Sequence, residues 1–270
     1  MVKKLFKHEF LSYARAMAIV YGILLTMAAA TRIISLFESD TDAYAVIRFF
    51  SDATYAVSAA ATIGFAFVMG IVRFYKNMFT AEGYLTNTLP VTADQHILVK
   101  TVAAVSVNWL SAIVVLLSVF IAIPYDKIRT FLQDFLFIYD QILELDRIQL
   151  LWIGLEYFIL LLISSFSSIM LYYTCISLGQ LSKKNRILAA VGVYFAYYIL
   201  SQIVSTIVTI FLTTLASLTV EMYDLIFWVS AHPMETSHIV LWVIIFFQLL
   251  FAVAEYFVIR WVLTKKLNLE

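Results

Sequence analysis

Three ionisable side chains, Arg32, Glu156 and Glu255, lie inside long apolar stretches of this sequence. A charge in hydrocarbon is costly, so such residues usually face a pathway, a partner group or a wet cavity. Arg32 and Glu156 fall at comparable depth and could pair; otherwise Arg32 extends to the interface and Glu156 faces a water-filled cavity. Glu255 has no charged neighbour at helical spacing. It either lines a pathway, pairs with another helix, or is a protonated hydrogen-bonding group.

Hydroxyl groups form a second set of candidates in the stretch ISSFSSIM. Its serines give the helix two polar sides, and Ser164 and Ser168 share one of them. One pair could line a pathway, whereas hydrogen bonding between helices is the more usual role of serine in a membrane.

Other chemistries find little support in the residue patterns. His232, Glu235 and His238 suggest a metal site, but Pro233 interrupts a helix there and positions six apart do not share a helical face. We therefore predict no metal, and instead a helix cap at Thr236 or Ser237.

Catalytic motifs are also missing from the sequence. No glycine is followed by Lys-Ser or Lys-Thr, so there is no phosphate-cradling loop. There is no Gly-x-Ser-x-Gly elbow or Cys/His pairing either. An intramembrane enzyme is disfavoured because Glu156 and Glu255 are single carboxylates in different apolar stretches. No basic, aromatic-interleaved surface indicates nucleic acid.

The composition predicts an all-α, polytopic membrane protein. The chain of 270 residues is 63% hydrophobic and only 13% charged, whereas soluble domains carry about 25% charged residues. A helix needs about 20 apolar residues to span the hydrocarbon core. Hydropathy places six spans in a single domain, 1–270, near residues 17–36, 53–74, 98–123, 150–177, 187–213 and 239–262.

Basic residues predict the orientation of the six spans. Thirteen lysines and arginines fall on the side of the two termini and four on the opposite side. Because cytoplasmic loops carry the excess of Lys and Arg, both termini are predicted to be cytoplasmic.

Three further segments differ from spans and from simple loops. Residues 1–16 place Phe6, Phe10 and Tyr13 at helical spacing beside lysines, which is typical of an interfacial helix on the membrane surface. Residues 124–149 alternate acids with apolar groups as an external amphipathic helix does. Residues 214–238 are apolar but contain acids and a proline, and are predicted to dip into the membrane from outside.

The polar stretch 75–97 joins the second and third spans on the predicted cytoplasmic side. Pro90 disfavours helix geometry at the preceding residue. Thr92 and Gln95 have the spacing of a capping box, so the third helix is predicted to start near Ala93.

Within this stretch, EGYLTNTLPVTADQHILVK resembles the first cytoplasmic loop of ABC-2 type transporter permeases of Gram-positive bacteria. In that family an acidic-Gly-Tyr-Leu sequence is followed by Leu-Pro-Val, a polar residue and a Lys that enters the third span. The tail TKKLNLE and the predicted order of segments are also similar to the family.

The resemblance implies a permease subunit, exporter-like, in a bacterial cytoplasmic membrane. A second permease subunit, identical or related, would complete the pathway among membrane lipids. A separate ABC ATPase would bind ATP and Mg, so this chain would need no cofactor of its own. The residues implied in ATPase coupling are Glu82, Gly83, Tyr84, Leu85, Thr88 and Leu89.

Two alternatives to this interpretation are open at the level of sequence. The stretch 75–97 could be an ordinary capped loop, although that would not require so many bulky residues facing water. The chain could also be a non-transporting sensor or immunity subunit that binds a peptide or lipid on the same scaffold.

Overall fold

The computed structural model describes residues 2–80, 82–83, 91–143, 147–219 and 222–265, and all elements assigned in those ranges are helices. They are α1 (Val2–Leu36), α2 (Asp42–Phe79), α3 (Ala93–Ala122), α4 (Tyr125–Leu143), α5 (Arg147–Gly179), α6 (Arg186–Thr219), α7 (Met222–Ala231) and α8 (Pro233–Lys265). Six of these helices, α1, α2, α3, α5, α6 and α8, are long and apolar enough to cross a membrane. The all-helical class is therefore confirmed, and each of the six predicted spans coincides with a helix able to cross a membrane, which is the architecture of a multi-pass membrane protein.

The helices divide into two compact units, Met1–Glu144 and Leu145–Glu270, although hydropathy alone indicated one domain. Each unit contains three of the six long helices. This division has no counterpart in the sequence pattern, because the apolar segments of both halves have similar length and composition.

In the first unit, α1 packs against α2 and α3, and α2 also packs against α3. A stripe of α2 at every fourth residue is buried in this bundle: Thr62, Ala66, Gly70, Phe74 and Met78. Small residues at Ala66 and Gly70 allow the close approach of neighbouring helices. Ala60 and Gly64, a second pair of small residues at four-residue spacing on this helix, are exposed.

In the second unit, α5 is the central helix. It packs along the length of α8 and also against α6, whereas α6 and α8 have few direct contacts with each other. Positions of α8 at alternating spacings of three and four residues face α5, as a seam of packed helices requires. We call this stripe the α8 seam: His238, Leu241, Ile245, Gln248, Ala252, Glu255, Ile259 and Val262.

Local capping explains where two of the long helices begin. The capping box predicted for α3 is present, since Thr92 accepts from the backbone N–H of Gln95 and Gln95 accepts from that of Thr92. The Thr41 hydroxyl accepts from the backbone N–H of Tyr44 at the start of α2.

The beginning of α1 differs from the sequence-based prediction. An interfacial helix at 1–16 was expected to be separate from the first span, but α1 is unbroken from Val2 to Leu36. Tyr13, predicted to lie at the membrane surface, is only 2% exposed. The reason is that α2 and α3 extend beyond their predicted spans and cover this part of α1.

The two predicted external segments are mostly helical where the structure describes them, with breaks at Pro124 and His232. α4 occupies most of 124–149 and exposes Phe131 and Phe135. The segment 214–238 contains the end of α6, all of α7 and the start of α8. Its dip into the membrane stays a prediction.

Candidate functional site

A buried group of charged and polar residues joins α1, α2 and α3 in the first unit. We call it the Glu9 cluster: Glu9, Ser12, Arg73, Asn77 and Lys100. The Lys100 ammonium donates to Glu9 Oε1 at 2.6 Å, and the Asn77 amide donates to the same oxygen at 3.2 Å. The Arg73 guanidinium donates to Glu9 Oε2 at 3.1 Å and to the Ser12 hydroxyl. Oε1 therefore has partners on α2 and α3, and Oε2 has a partner on α2.

Burial makes this arrangement energetically demanding. The side chains of Glu9 and Lys100 are 6% and 4% exposed. A buried charge is tolerated only when it is paired and hydrogen-bonded, and removing one partner leaves the other uncompensated. The aromatic ring of Tyr13, 4.7 Å from the Arg73 guanidinium carbon, adds a favourable cation–π contact. The cluster thus ties the last turns of α2 and the first turns of α3 to α1.

The predicted coupling stretch begins where α2 leaves this cluster. The backbone N–H of Gly83 donates to the Thr80 carbonyl at 2.7 Å, which folds the chain back over the end of α2. A Cβ atom at Gly83 would lie 2.7 Å from the Met78 carbonyl oxygen, so a larger residue would force the backbone to move. The exposed Glu82 interacts electrostatically with Lys100. The structure therefore brings the first two predicted coupling residues, Glu82 and Gly83, beside the Glu9 cluster.

The other predicted coupling residues, Tyr84, Leu85, Thr88 and Leu89, lie outside the described residues. On the far side of the stretch, His96 in the first turn of α3 is 2% exposed, and neither ring nitrogen has a hydrogen-bond partner among the described residues.

A second polar site in the other unit is formed around Glu156 of α5. His238 Nδ1 lies 2.7 Å from one carboxylate oxygen, and the Trp242 indole donates to the other at 2.8 Å. Glu156 thus has its partners on α8, within its own unit. The predicted cap at Thr236 or Ser237 was wrong. α8 begins at Pro233, and both residues lie inside it.

Glu255 on the α8 seam forms a third polar site. The Tyr197 hydroxyl of α6 donates to Glu255 Oε1 at 2.8 Å, while Oε2 is buried with no hydrogen-bond partner among the described residues. The Thr174 hydroxyl of α5 donates to the backbone carbonyl of Glu255 at 3.4 Å. Glu255 is therefore hydrogen-bonded to two other helices, which is one of the arrangements considered for it from the sequence.

The remaining predicted polar residues make local contacts. The Ser168 hydroxyl donates to the Ser164 carbonyl at 2.7 Å, within α5 rather than to a neighbouring helix. The Ser35 hydroxyl donates to the Arg32 carbonyl at 2.6 Å, and Arg32 itself is half-buried. Neither arrangement by itself forms a binding site.

No group of three or more His, Cys, Asp or Glu residues with the geometry to hold a metal ion occurs in the described ranges. His232 is stacked on Trp228 with ring centroids 5.0 Å apart, and His238 is engaged with Glu156. Both candidate histidines therefore make other contacts, and Glu235 is exposed.

Comparison with known proteins adds no identification. No family model matches the sequence, and searches of curated proteins and of solved structures found no match.

Two features of the polar sites were missed by reasoning from sequence: the role of Glu9, and the place of His238 and Gln248 on the packed face of α8. Glu9 was overlooked among the basic and aromatic residues of the first helix, although it shares a stripe with Tyr13 and Met17 at four-residue spacing. His238 and Gln248 belong to the three-and-four spacing of the α8 seam, which also contains Glu255. Extending that spacing upstream from the apolar part of the helix would have placed both on the packed face.

Proposed function

We propose that this chain is the membrane-spanning permease subunit of an ATP-driven ABC transporter, an exporter of amphipathic or hydrophobic substrates. In this proposal both termini are cytoplasmic and residues 75–97 contact a separate ATPase subunit. A second permease subunit, identical or related, completes the pathway in a bacterial cytoplasmic membrane. The family resemblance of the stretch 82–100 and the six long apolar helices support this function.

The observation that carries the proposal is the position of Glu82 and Gly83 beside the Glu9 cluster. A surface that receives force must be firmly attached to the elements it moves, and sites on rigid elements transmit displacement more precisely than sites on free loops. Gly83 is folded onto the end of α2, and Glu82 interacts with Lys100 at the start of α3. Displacement of this stretch would thus act on α1, α2 and α3 together.

In this proposal the separate ATPase subunit binds and hydrolyses ATP. The sequence has no phosphate-cradling loop, so ATP and Mg would bind on the ATPase. The bulky side chains of the stretch, including Tyr84 and Leu85, would supply the apolar anchors that concentrate binding energy at an interface.

Co-purification tests this proposal directly. The chain is co-expressed with candidate ABC ATPases from its source organism, and complex formation is compared for wild type, Leu85→Asp and Leu181→Asp. Leu181 lies between α5 and α6, on the side that the proposal also makes cytoplasmic, and provides the matched control. We expect Leu85→Asp to lose the ATPase and Leu181→Asp to retain it.

Reconstituted vesicles test the transport step. ATP-dependent accumulation of a hydrophobic substrate supports the proposal, whereas substrate binding without movement supports a non-transporting sensor or immunity subunit. Retention of the ATPase by Leu85→Asp, or labelling of a cysteine at Thr88 from outside intact cells, overturns the coupling role.

A further inference from the structure

A long groove runs between α6 and α8 in the second unit. Both helices pack on α5 but have few contacts with each other, which leaves the space between them open. One part of the groove has a volume of about 420 Å³ and is lined by Cys175, Tyr197 and Glu255 among others. A second part of about 400 Å³ continues along the same helices past Gln248, and Phe251 lines both parts. The groove is long enough for an extended chain molecule rather than a compact one.

The polar floor of this groove contains hydrogen-bond acceptors that lack donors. Glu255 is 3% exposed, and its Oε2 has no partner in the described structure. Gln248 Oε1 is likewise buried and without a partner. These residues are seven positions apart, so they lie on the same face of α8, about 10 Å apart along its axis. An unpaired acceptor in a low-dielectric site is costly, and the missing group at both positions is a donor.

The walls of the groove are apolar and aromatic. Val193, Leu200 and Val258 line the part next to Glu255, whereas no Lys, Arg or His is among the described residues lining either part. The rings of Tyr197 and Phe251 have centroids 5.9 Å apart beside the carboxylate. Aromatic faces attract cations, and the attraction increases when water is excluded. Carboxylate and rings together favour a positively charged donor, and the walls favour hydrocarbon.

We propose that the α6–α8 groove binds an amphiphile with a primary ammonium head group. The ammonium donates to the Glu255 carboxylate beside the rings of Tyr197 and Phe251, once the buried Oε2 is uncovered on the side of the groove, and the hydrocarbon chain lies along the groove towards Gln248. This inference names a substrate class for the proposed permease. The binding of the amphiphile does not depend on the proposed permease function. Only its transport after binding rests on that function.

A fluorescent label tests binding on the purified chain without any ATPase. Cys175 is the single cysteine, so Cys175→Ser with Leu200→Cys allows a bimane label to be placed in the groove. Leu200 is 55% exposed and accessible to the reagent. A label at Ile207, which is exposed on α6 and does not line the groove, is the matched control. The labelled proteins, in zwitterionic nanodiscs, are titrated with dodecylammonium, dodecyltrimethylammonium and dodecanol.

We expect saturable binding of dodecylammonium at the Leu200 label and no response at Ile207. Dodecanol should bind at least about tenfold more weakly, because a charge-assisted hydrogen bond is lost. Dodecyltrimethylammonium, which keeps the charge but has no N–H, should fall between the two. Glu255→Gln should reduce dodecylammonium affinity to that of dodecanol, whereas Glu235→Gln, an exposed carboxylate on the same helix, should leave it unchanged.

Three outcomes overturn the inference. Equal affinities for dodecylammonium and dodecanol mean that the groove takes hydrocarbon without regard to charge. Wild-type affinity in Glu255→Gln removes the assigned head-group site. A disulfide between two copies of the Leu200→Cys chain at high yield shows that a second copy covers the groove.

Failure of this inference is distinguishable from failure of the proposed function. Charge-selective binding without ATP-dependent transport leaves the site in place and rejects the permease. ATP-dependent transport that Glu255→Gln does not affect leaves the permease in place and rejects the site.

Discussion

The Glu9 carboxylate and the Lys100 ammonium are 91 residues apart in sequence and 2.6 Å apart in space. Both side chains are almost fully buried, and the carboxylate is shared with Arg73. Such a pair contributes less to stability than its short distance suggests, because both charges leave water. Its main effect is to make any other arrangement of α1, α2 and α3 unfavourable.

Glu9→Gln should destabilise the first unit strongly. Loss of one partner leaves Lys100 and Arg73 buried without a countercharge, which costs about 3–5 kcal/mol. Thermal unfolding of the purified protein in detergent measures the effect, with the exposed Glu38→Gln as control. Because apolar residues can replace a buried ion pair, Glu9→Leu with Lys100→Met should lose less stability than the sum of the losses in the two single variants. Additive losses in the double variant would contradict the coupling of these two residues.

Gly83→Ala should weaken association with the ATPase. The new Cβ would meet the Met78 carbonyl oxygen at 2.7 Å, which forces the predicted coupling stretch away from the end of α2. Co-purification and ATP-stimulated transport are measured beside Gly22→Ala and Gly192→Ala, whose Cβ atoms would meet nothing within 4 Å. These controls should be neutral or slightly stabilised, since alanine favours helix over glycine. Unchanged coupling in Gly83→Ala would show that this turn is not required.

Thr92→Ala should destabilise the start of α3. It removes the hydroxyl that accepts from the Gln95 backbone N–H, at a cost of about 1 kcal/mol for a typical N-cap. Hydrogen exchange of the amides at 93–96 detects the fraying, and Thr92→Ser should restore protection because serine caps equally well. Equal protection in Thr92→Ala and wild type would mean that tertiary contacts alone hold this turn.

Glu156→Leu should alter the environment of Trp242. The indole N–H donates to Glu156 Oε1, and leucine removes that acceptor together with the partner of His238. The emission of Trp242 is followed after the other four tryptophans are replaced by phenylalanine. We expect a shift of the emission maximum in Glu156→Leu and a smaller one in Glu156→Gln, which keeps an acceptor. Identical spectra would place the indole elsewhere.

The sequence predicted the helical class, the six spans and the start of α3. These features depend on hydropathy and on local hydrogen bonds, which a short stretch of sequence contains in full. The N-terminal boundaries of α1 and α2 were placed too late, because hydropathy marks the thickness of the hydrocarbon and not the ends of helices. α2 begins at Asp42, capped by Thr41, well before the predicted span at 53.

The contacts of the candidate sites could not be predicted in the same way. Glu9 has nearby lysines in sequence but binds Lys100 and Arg73 on other helices. Glu156 was compared with Arg32, the other charge at similar depth, and instead contacts His238 and Trp242 on α8. In both cases the partner is decided by which helices pack together, and hydropathy is almost the same for all six. The division into two units is invisible in the sequence for the same reason.

The bonds between α5 and α8 determine how the second unit can move. Glu156 bonds to His238 near the start of both helices, and Thr174 bonds to Glu255 towards their ends, so the two helices run parallel in a fixed register. If α5 slid along α8 by a single turn, both hydrogen bonds would break at once. The Glu156 carboxylate would then face aliphatic side chains. The Tyr197 hydroxyl joins α6 to the same carboxylate, and the rings of Tyr194 on α6 and Tyr172 on α5 are stacked. Opening of the space beside Glu255 would therefore require Tyr197 to leave the carboxylate while α5 and α8 keep their register.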